Sequence, residues 1–323
     1  MVVVSVTAQR KNKPVMMPVP DASWAPILPP SNMIAAWELM DVKREASLAH
    51  QTGQNRVGAV VRDNSSMEDL LSWGANGLAF SKALPNGVTK EQVARACWFL
   101  GQGQPVRDVL LLESRLAAET RTAVDALLAL DRDFDLASPE TFAKLPMALN
   151  RSGEAQAGSF SLGSATYHVM AVAPSDFWSE EILDTLLEYI NAGGRVVFVG
   201  RQPLTIQRLL FRTGVVRVGD LPDDIARGLS YASQSDFHAE LVESGERAAS
   251  IRYQHRRDDK RDYFYVLNSD RQHAVNVRLG FAASGSVEEW DLATGIVTPT
   301  KLLQREIPAG GTVALVVTKI QTK

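Results

Sequence analysis

The sequence has little of what several function classes require. It carries one cysteine, Cys97, in 323 residues, which excludes an internal disulfide and a zinc site built on several thiolates. Neither sign of charge dominates. Its 34 Lys and Arg against 37 Asp and Glu leave a net charge of -3, so there is no electrostatic reason to expect nucleic acid as a partner. Long apolar runs are missing as well: no stretch approaches the roughly 20 residues that span a bilayer, and no membrane partner is expected. The opening MVVVSVTAQRKNK has too short an apolar run for a signal sequence and no basic segment before it. The expectation is a soluble chain without an export signal, its compartment left open. None of the five histidines (50, 168, 238, 255, 273) stands at metal-ligand spacing from another, so no metal is expected.

What is present begins with Tyr167–Gly200. Two apolar runs, Val169–Val172 and Val196–Val199, bracket Ile182, Leu183, Leu186, Leu187 and Ile190, which fall on one face of a helix. Ser179 is placed to cap that helix, and Gly193-Gly194 to end it. The result is a βαβ unit with strands buried on both faces.

Other segments extend the pattern in both directions. Prolines 14, 18, 20, 26, 29 and 30 mark residues 1–30 as an irregular arm. Ser31 opens a helix predicted to run to His50, and strands follow at Arg56–Arg62 and Leu78–Phe80 around a helix at Met67–Trp73. Thr89 caps a helix through Leu100. Strands at Val109–Leu112, Phe134–Leu136 and Val215–Val218, with a helix at Ala118–Leu130, make residues 105–222 a doubly wound, flavodoxin-like parallel sheet. Beyond Asp236 short strands alternate with turns (Asn268-Ser269-Asp270, Thr294-Gly295), which predicts a small β-sandwich. The expected fold class is therefore α/β plus all-β. The expected divisions are an arm with a partial (β/α) barrel remnant at 1–104, the flavodoxin-like domain at 105–228 and the sandwich at 229–323.

The usual chemistry of a flavodoxin-like sheet is absent. No G-x-G-x-x-G follows a strand, so no dinucleotide or other cofactor is expected. Cys97 lies inside a helix before the sheet, where a buried structural thiol is expected rather than an amidotransferase nucleophile. Asp131, Asp133 and Asp135 alternate like a calcium loop, but Leu136 and Phe142 occupy the required Gly and Glu positions, leaving a solvated turn. Arg252, His255, Arg256, Arg257, Lys260 and Arg261 are interleaved with Asp258, Asp259 and Asp262, which reads as a charged hairpin tip. His168, beside a buried strand, reads as a hydrogen-bonded packing residue.

Three passages resemble the α-L-rhamnosidases of glycoside hydrolase family 106. They are Gln92–Leu112 (QVARACWFLGQGQPVRDVLLL), Tyr167–Gly200, and Ile251–Thr298 with its "Y-x-HR … Y-F-x-x-N … W-D-x-x-T-G" pattern. In the last the residues are Tyr253, His255, Arg256, Tyr263, Phe264, Asn268, Trp290, Asp291, Thr294 and Gly295. The resemblance implies a glycoside hydrolase homologue whose members are often exported. It also implies two carboxylates at the ends of barrel strands, yet a full barrel takes at least about 200 residues and the flavodoxin-like sheet begins near residue 105. Where the family would place a glutamate after Arg56–Arg62 the chain offers Asp63, the single weak catalytic candidate; Glu68 and Glu91 read as surface or capping residues. The expectation is a truncated chain without a complete catalytic barrel. The alternative is a non-catalytic carbohydrate-binding or assembly module, with Trp290, Tyr263 and Tyr265 as the aromatic residues that could stack on a sugar. Unpaired barrel edges further predict self-association or a partner chain through residues 1–100.

Overall fold

The computed structural model describes residues 15–17, 33–34, 39–61, 66–80, 83–114, 117–130, 132–144, 147–149, 158–232, 235–301 and 303–319. The first elements are β1 (Val15–Met16), β2 (Met33–Ile34), α1 (Leu39–Gln51), β3 (Gly58–Val61), α2 (Met67–Ser72), β4 (Gly77–Phe80), α3 (Lys90–Leu100) and β5 (Gln104–Pro105). Strands β2, β3 and β4 form a parallel sheet. The cap expected at Thr89 is made: its hydroxyl accepts from the Gln92 N–H at 3.1 Å. Among the described residues the helix expected from Ser31 runs Leu39–Gln51, and Met33 and Ile34 instead pair in parallel with Gly58 and Ala59. Here sheet pairing overrides helical spacing.

The middle of the chain contributes β6 (Val109–Leu112), α4 (Ala117–Ala129), β7 (Phe134–Ala137), α5 (Pro139–Phe142), β8 (Ala148–Leu149), β9 (Phe160–Leu162), β10 (Ala165–Tyr167), β11 (Val169–Val172), α6 (Glu180–Asn191), β12 (Arg195–Val199), α7 (Gln207–Leu210), β13 (Val215–Val218) and α8 (Pro222–Ala232). Five strands form one parallel sheet in the order β13-β12-β11-β6-β7. Side chains of α6 and of the β9–β10 hairpin pack on one face, around Phe160, Tyr167, Leu183 and Phe198. Those of α4 and α8 pack on the other, around Val124, Leu127, Ile225 and Leu229. Gly194 is required where α6 turns into β12, because a Cβ there would lie 2.1 Å from the Tyr189 ring.

The β8–β9–β10 sheet has no counterpart in the sequence reading. Its turn at Gly163, with φ +58°, sits so close to the end of α1 that a Cβ would lie 2.3 Å from the Gln51 carbonyl. The following Ser164 N–H donates to the His50 carbonyl at 2.8 Å, so the hairpin caps a helix end that would otherwise lack partners.

The last part holds β14 (Phe237–Leu241), β15 (Ile251–Arg257), β16 (Arg261–Asn268), β17 (Val275–Phe281), β18 (Gly285–Trp290), β19 (Ile296–Thr300), β20 (Gln304–Ile307) and β21 (Thr312–Lys319). They form a three-stranded antiparallel sheet, β14-β17-β20, and a seven-stranded antiparallel sheet, β1-β19-β18-β21-β16-β15-β5. Both edge strands of the larger sheet, β1 and β5, come from the N-terminal part. The arm thus contributes a strand, pairing Val15 with Val297. Alternation along β16 divides two cores. Phe264 and Val266 meet the smaller sheet with Phe237, Val277 and Leu279, while Tyr263 and Tyr265 meet α2 and α3 through Leu71, Cys97 and Phe99.

Candidate functional site

Polar residues that look solvated in the sequence are buried where the three parts meet. Arg107, on the link between β5 and β6, is 1% exposed. Its Nη1 donates to the carbonyls of Val106 and His255 at 2.9 and 3.2 Å, and its Nη2 to Gln254 Oε1 at 3.2 Å. Nη1 also lies 2.7 Å from Asp133 Oδ2, and Nε 3.4 Å from Asp135 Oδ1. The two aspartates point the same way because they flank Phe134 at strand spacing. Lys43, Ser47 and His50 recur at four and three residues along α1, on one face of that helix. Lys43 Nζ reaches Asp133 at 2.9 Å, and His50 Nδ1 lies 3.0 Å from Asp135 Oδ2. Tyr167 donates to the same oxygen at 2.8 Å.

Two cations thus face two carboxylates in a dry junction. Burial acts to raise the Asp135 carboxyl, but contact with His50 and the charges of Arg107 and Lys43 hold it far below the carboxylate range. For Arg107, burial is outweighed by Asp133 and Asp135, which hold the guanidinium above its ordinary value. Burial wins at His50 and lowers its pKa, so the ring is neutral at pH 7 and its Nδ1–H donates to Asp135. The solvated turn expected at Asp133 and Asp135 is therefore corrected, since they are 7% and 0% exposed. Asp131 lies outside the described residues.

A second cluster sits on β15. His255 Nδ1 is 2.5 Å from Asp236 Oδ2, and Nε2 is 2.7 Å from Asp262 Oδ1. The ring stacks on Phe264 with centroids 4.2 Å apart. Asp262 also accepts from Arg257 Nε at 2.5 Å. Burial acts to raise Asp236 and Asp262, and the hydrogen bonds from His255 together with the charges of His255 and Arg257 outweigh it, so both carboxyls are held low. The charged hairpin tip needs a matching correction. A hairpin is present, but His255 and Arg256 are buried, with Arg256 Nε donating to the Gln102 carbonyl at 2.6 Å.

The W-D-x-x-T-G passage proves to be a brace. Asp291 accepts from the Ala293 and Thr294 N–H groups at 2.8 and 3.2 Å and from the Thr294 hydroxyl at 2.6 Å. The turn closes at Gly295, whose φ is +81°. Arg95 of α3 donates to the Leu292 carbonyl at 2.6 Å, joining turn and helix. Asn268 similarly donates to the carbonyls of His273 and Pro308 at 2.9 and 3.1 Å.

At the N-terminal ends of β6, β11 and β12 a cavity of about 370 Å³ faces β15 and the chain entering β14, lined by Arg107, Asp108, His168, Arg195, Asp236 and Arg257 among others. His168 was expected to be a packing residue. Its side chain is instead half-exposed, with Nδ1 3.6 Å from Asp108 Oδ1. The opposite end of the sheet is closed: Gln202 donates to the carbonyls of Ala173 and Val199 at 3.0 and 2.8 Å and accepts from the Trp178 indole at 2.9 Å. Ligands of doubly wound sheets ordinarily bind at that end.

Of the sequence candidates, Asp63 lies outside the described residues. Glu68 accepts from the Ser66 hydroxyl at 2.6 Å beside the cap of α2. Tyr263, Tyr265 and Trp290 are 4%, 1% and 5% exposed. Trp290 stacks on Trp98, with centroids 5.8 Å apart, and meets Tyr263 edge-on at 6.4 Å. Such pairs contribute about 0.5–1.5 kcal/mol each beyond burial, and they leave these rings no open face in this chain. Cys97 is buried, and burial pushes its thiol up to about 12. Sequence reasoning missed Arg107, Lys43 and His50; the available signal was the polar stripe on α1 and an aspartate inside the apolar strand FDLA.

No family model matches the chain. It superposes on a rhamnosidase from Novosphingobium sp. PP1Y with a TM-score of 0.66 and 17% identity, covering 90% of this chain and 35% of that one. The fold is glycoside-hydrolase-like. An exo-carrageenase GH42 from Bacteroides ovatus is similar with a TM-score of 0.52 and 10% identity, over 87% of this chain and 44% of that one. A curated Formosa agariphila protein with a provisional beta-glucuronidase name is 22% identical over 256 residues, 76% of this chain and 20% of that protein. The chain thus spans between 20% and 44% of the length of these relatives. No described helix is long and apolar enough to cross a membrane.

Proposed function

We propose that this chain is an accessory region of an α-L-rhamnosidase-type glycoside hydrolase and does not itself cleave glycosides. Glycoside hydrolysis needs one carboxylic acid kept protonated to serve the leaving oxygen, and hence a raised pKa. The observation that carries the proposal is that every described aspartate whose pKa is displaced (135, 236, 258, 262, 270 and 291) is displaced downward. The buried carboxylates among them are bound to cations or His rings that join the parts of the chain.

Residues 105–228 act in this reading as a flavodoxin-like scaffold. Numbered by occurrence, the strands run 2-1-3-4-5, the order of that fold. Residues 1–104 supply strands of a (β/α) barrel, supported by the parallel β2-β3-β4 sheet with α1 and α2 between its strands. Residues 229–323 form the sandwich. The barrel fragment's edges are covered by self-association or a partner chain; a monodisperse monomer in light scattering at micromolar concentration counts against that part.

The test is turnover of an aryl glycoside panel led by the α-L-rhamnoside, using purified chain 1–323. No turnover is expected from the folded protein. Enzyme-like turnover that disappears in Asp63→Asn overturns the proposal. The alternative reading, a carbohydrate-binding module, is favoured by one observation, the charged cavity below the parallel sheet.

A further inference from the structure

We propose that this cavity, between the N-terminal ends of β6, β11 and β12 and strands β14 and β15, binds a neutral monosaccharide or a single sugar unit of a glycan. The inference deepens the carbohydrate-binding reading, and its assay is separate from turnover, so either can fail alone.

Size and access come first. About 370 Å³ lies within the range of small-molecule pockets, roughly 300–1,000 Å³. The wall is open at His168 and Arg257, whose side chains are 50% and 42% exposed. Small residues, Gly158, Gly193 and Ala232, complete the lining and leave room for a ring.

The charges then decide the class of ligand. Asp236 accepts from Tyr253 Oη on one oxygen, at 3.4 Å, and from His255 on the other, at 2.5 Å. A carboxylate offers about four acceptor positions, so Asp236 retains capacity for a ligand. Arg257 engages Asp262 through Nε, which leaves its two terminal nitrogens as donors. Arg195 uses Nη1 on the carbonyls of Tyr231 and Ala232, leaving Nη2. Asp108, paired with Arg132 through Oδ2 and 3.6 Å from His168 through Oδ1, adds a second, already partnered carboxylate to the same wall.

An anion entering this space meets Asp108 and Asp236, and His255 keeps the latter ionised. A cation meets Arg195 and Arg257, the Arg107 guanidinium being turned away to Asp133 and Asp135. A hydroxyl satisfies both kinds of group at once, donating to a carboxylate and accepting from a guanidinium. Several hydroxyls on a rigid ring therefore fit this wall better than a charged ligand of either sign. None of the described lining residues is a Trp, Tyr or Phe to stack on the ring, so binding is weak, with Kd on the order of 1 mM.

The experiment is saturation-transfer NMR on the full chain with L-rhamnose, D-galactose and D-glucuronate as separate probes. It is repeated in His168→Ala and Arg195→Ala, which remove wall groups from partly exposed positions. Transfer to ring protons of at least one neutral sugar is expected, with affinity falling at least about tenfold in Arg195→Ala and the melting temperature unchanged. Absence of transfer to both neutral sugars overturns the site, as does transfer indifferent to both substitutions. Tighter binding of D-glucuronate than of the neutral sugars overturns the assignment of ligand class.

Discussion

Replacing Arg107 by Met tests whether the buried junction holds the three parts together. Methionine fills part of the same space but makes none of the bonds to Val106, His255 and Gln254. It also leaves Asp133 Oδ2, which makes no other hydrogen bond among the described residues, without the guanidinium 2.7 Å away. Asp135 keeps Tyr167 and His50, so the damage centres on Asp133. Removing one partner of a buried ion pair costs about 3–5 kcal/mol, here because Oδ2 loses its cation in a dry site while Lys43 still holds only Oδ1. At roughly 2 °C per kcal/mol for a chain of this size, the melting temperature falls by about 6–10 °C. The assay is thermal unfolding followed by both far-UV circular dichroism and tryptophan fluorescence. Neutralising the stranded group should restore part of the loss: Arg107→Met with Asp133→Asn should be more stable than the sum of the single changes by at least about 0.5 kcal/mol. A fall of less than about 2 °C, or full additivity in the double variant, refutes the reasoning.

Three further outcomes follow from the same contacts. His50 is held below its ordinary pKa, so its contribution is present above the unfolded value of about 6.5 and is lost as pH falls through the folded one. The decline in melting temperature from pH 7 to pH 5 should be shallower in His50→Gln, and equal slopes count against a neutral buried ring. Asp236 and Asp262 are held low, so their contribution is present above about pH 3.9 and disappears on further acidification; Asp236→Asn should flatten the acid limb alone, as read by fluorescence. Gly163→Ala places a Cβ 2.3 Å from the Gln51 carbonyl at a positive φ, and should cost at least about 1–2 kcal/mol in urea unfolding; a neutral effect refutes the close approach.

Much of the secondary structure was legible because its signals are local. The alternation in Val275–Phe281, the caps at Thr89 and Ser179 and the parallel runs at Val109 and Val169 all stand where the periodicity puts them. The junction was not legible. Arg107, Asp133, Lys43 and Gln254 each look like an ordinary solvated residue until segments as many as 183 positions apart close around them. The resemblance located Tyr253, His255, Arg256 and Asp291 without showing what they do, because a hydrogen-bonded brace and a ligand contact draw on the same residue types. His168 was misread for the opposite reason: its neighbours in β11 are buried, but it stands one residue outside the strand.

The seven-stranded sheet has a consequence for how the chain is made. Its two borders and one covering layer precede in the chain the strands they enclose, β15, β16, β18, β19 and β21. Met17 donates to the carbonyl of Gly295, and Arg95 to that of Leu292, so these contacts of the early segments wait for residues that follow 197 or more positions later. Contacts of such high sequence separation slow folding and prolong exposure of apolar surface. The two late antiparallel sheets are not self-contained either: without α2 and α3 they would carry Tyr263, Tyr265 and Trp290 into water.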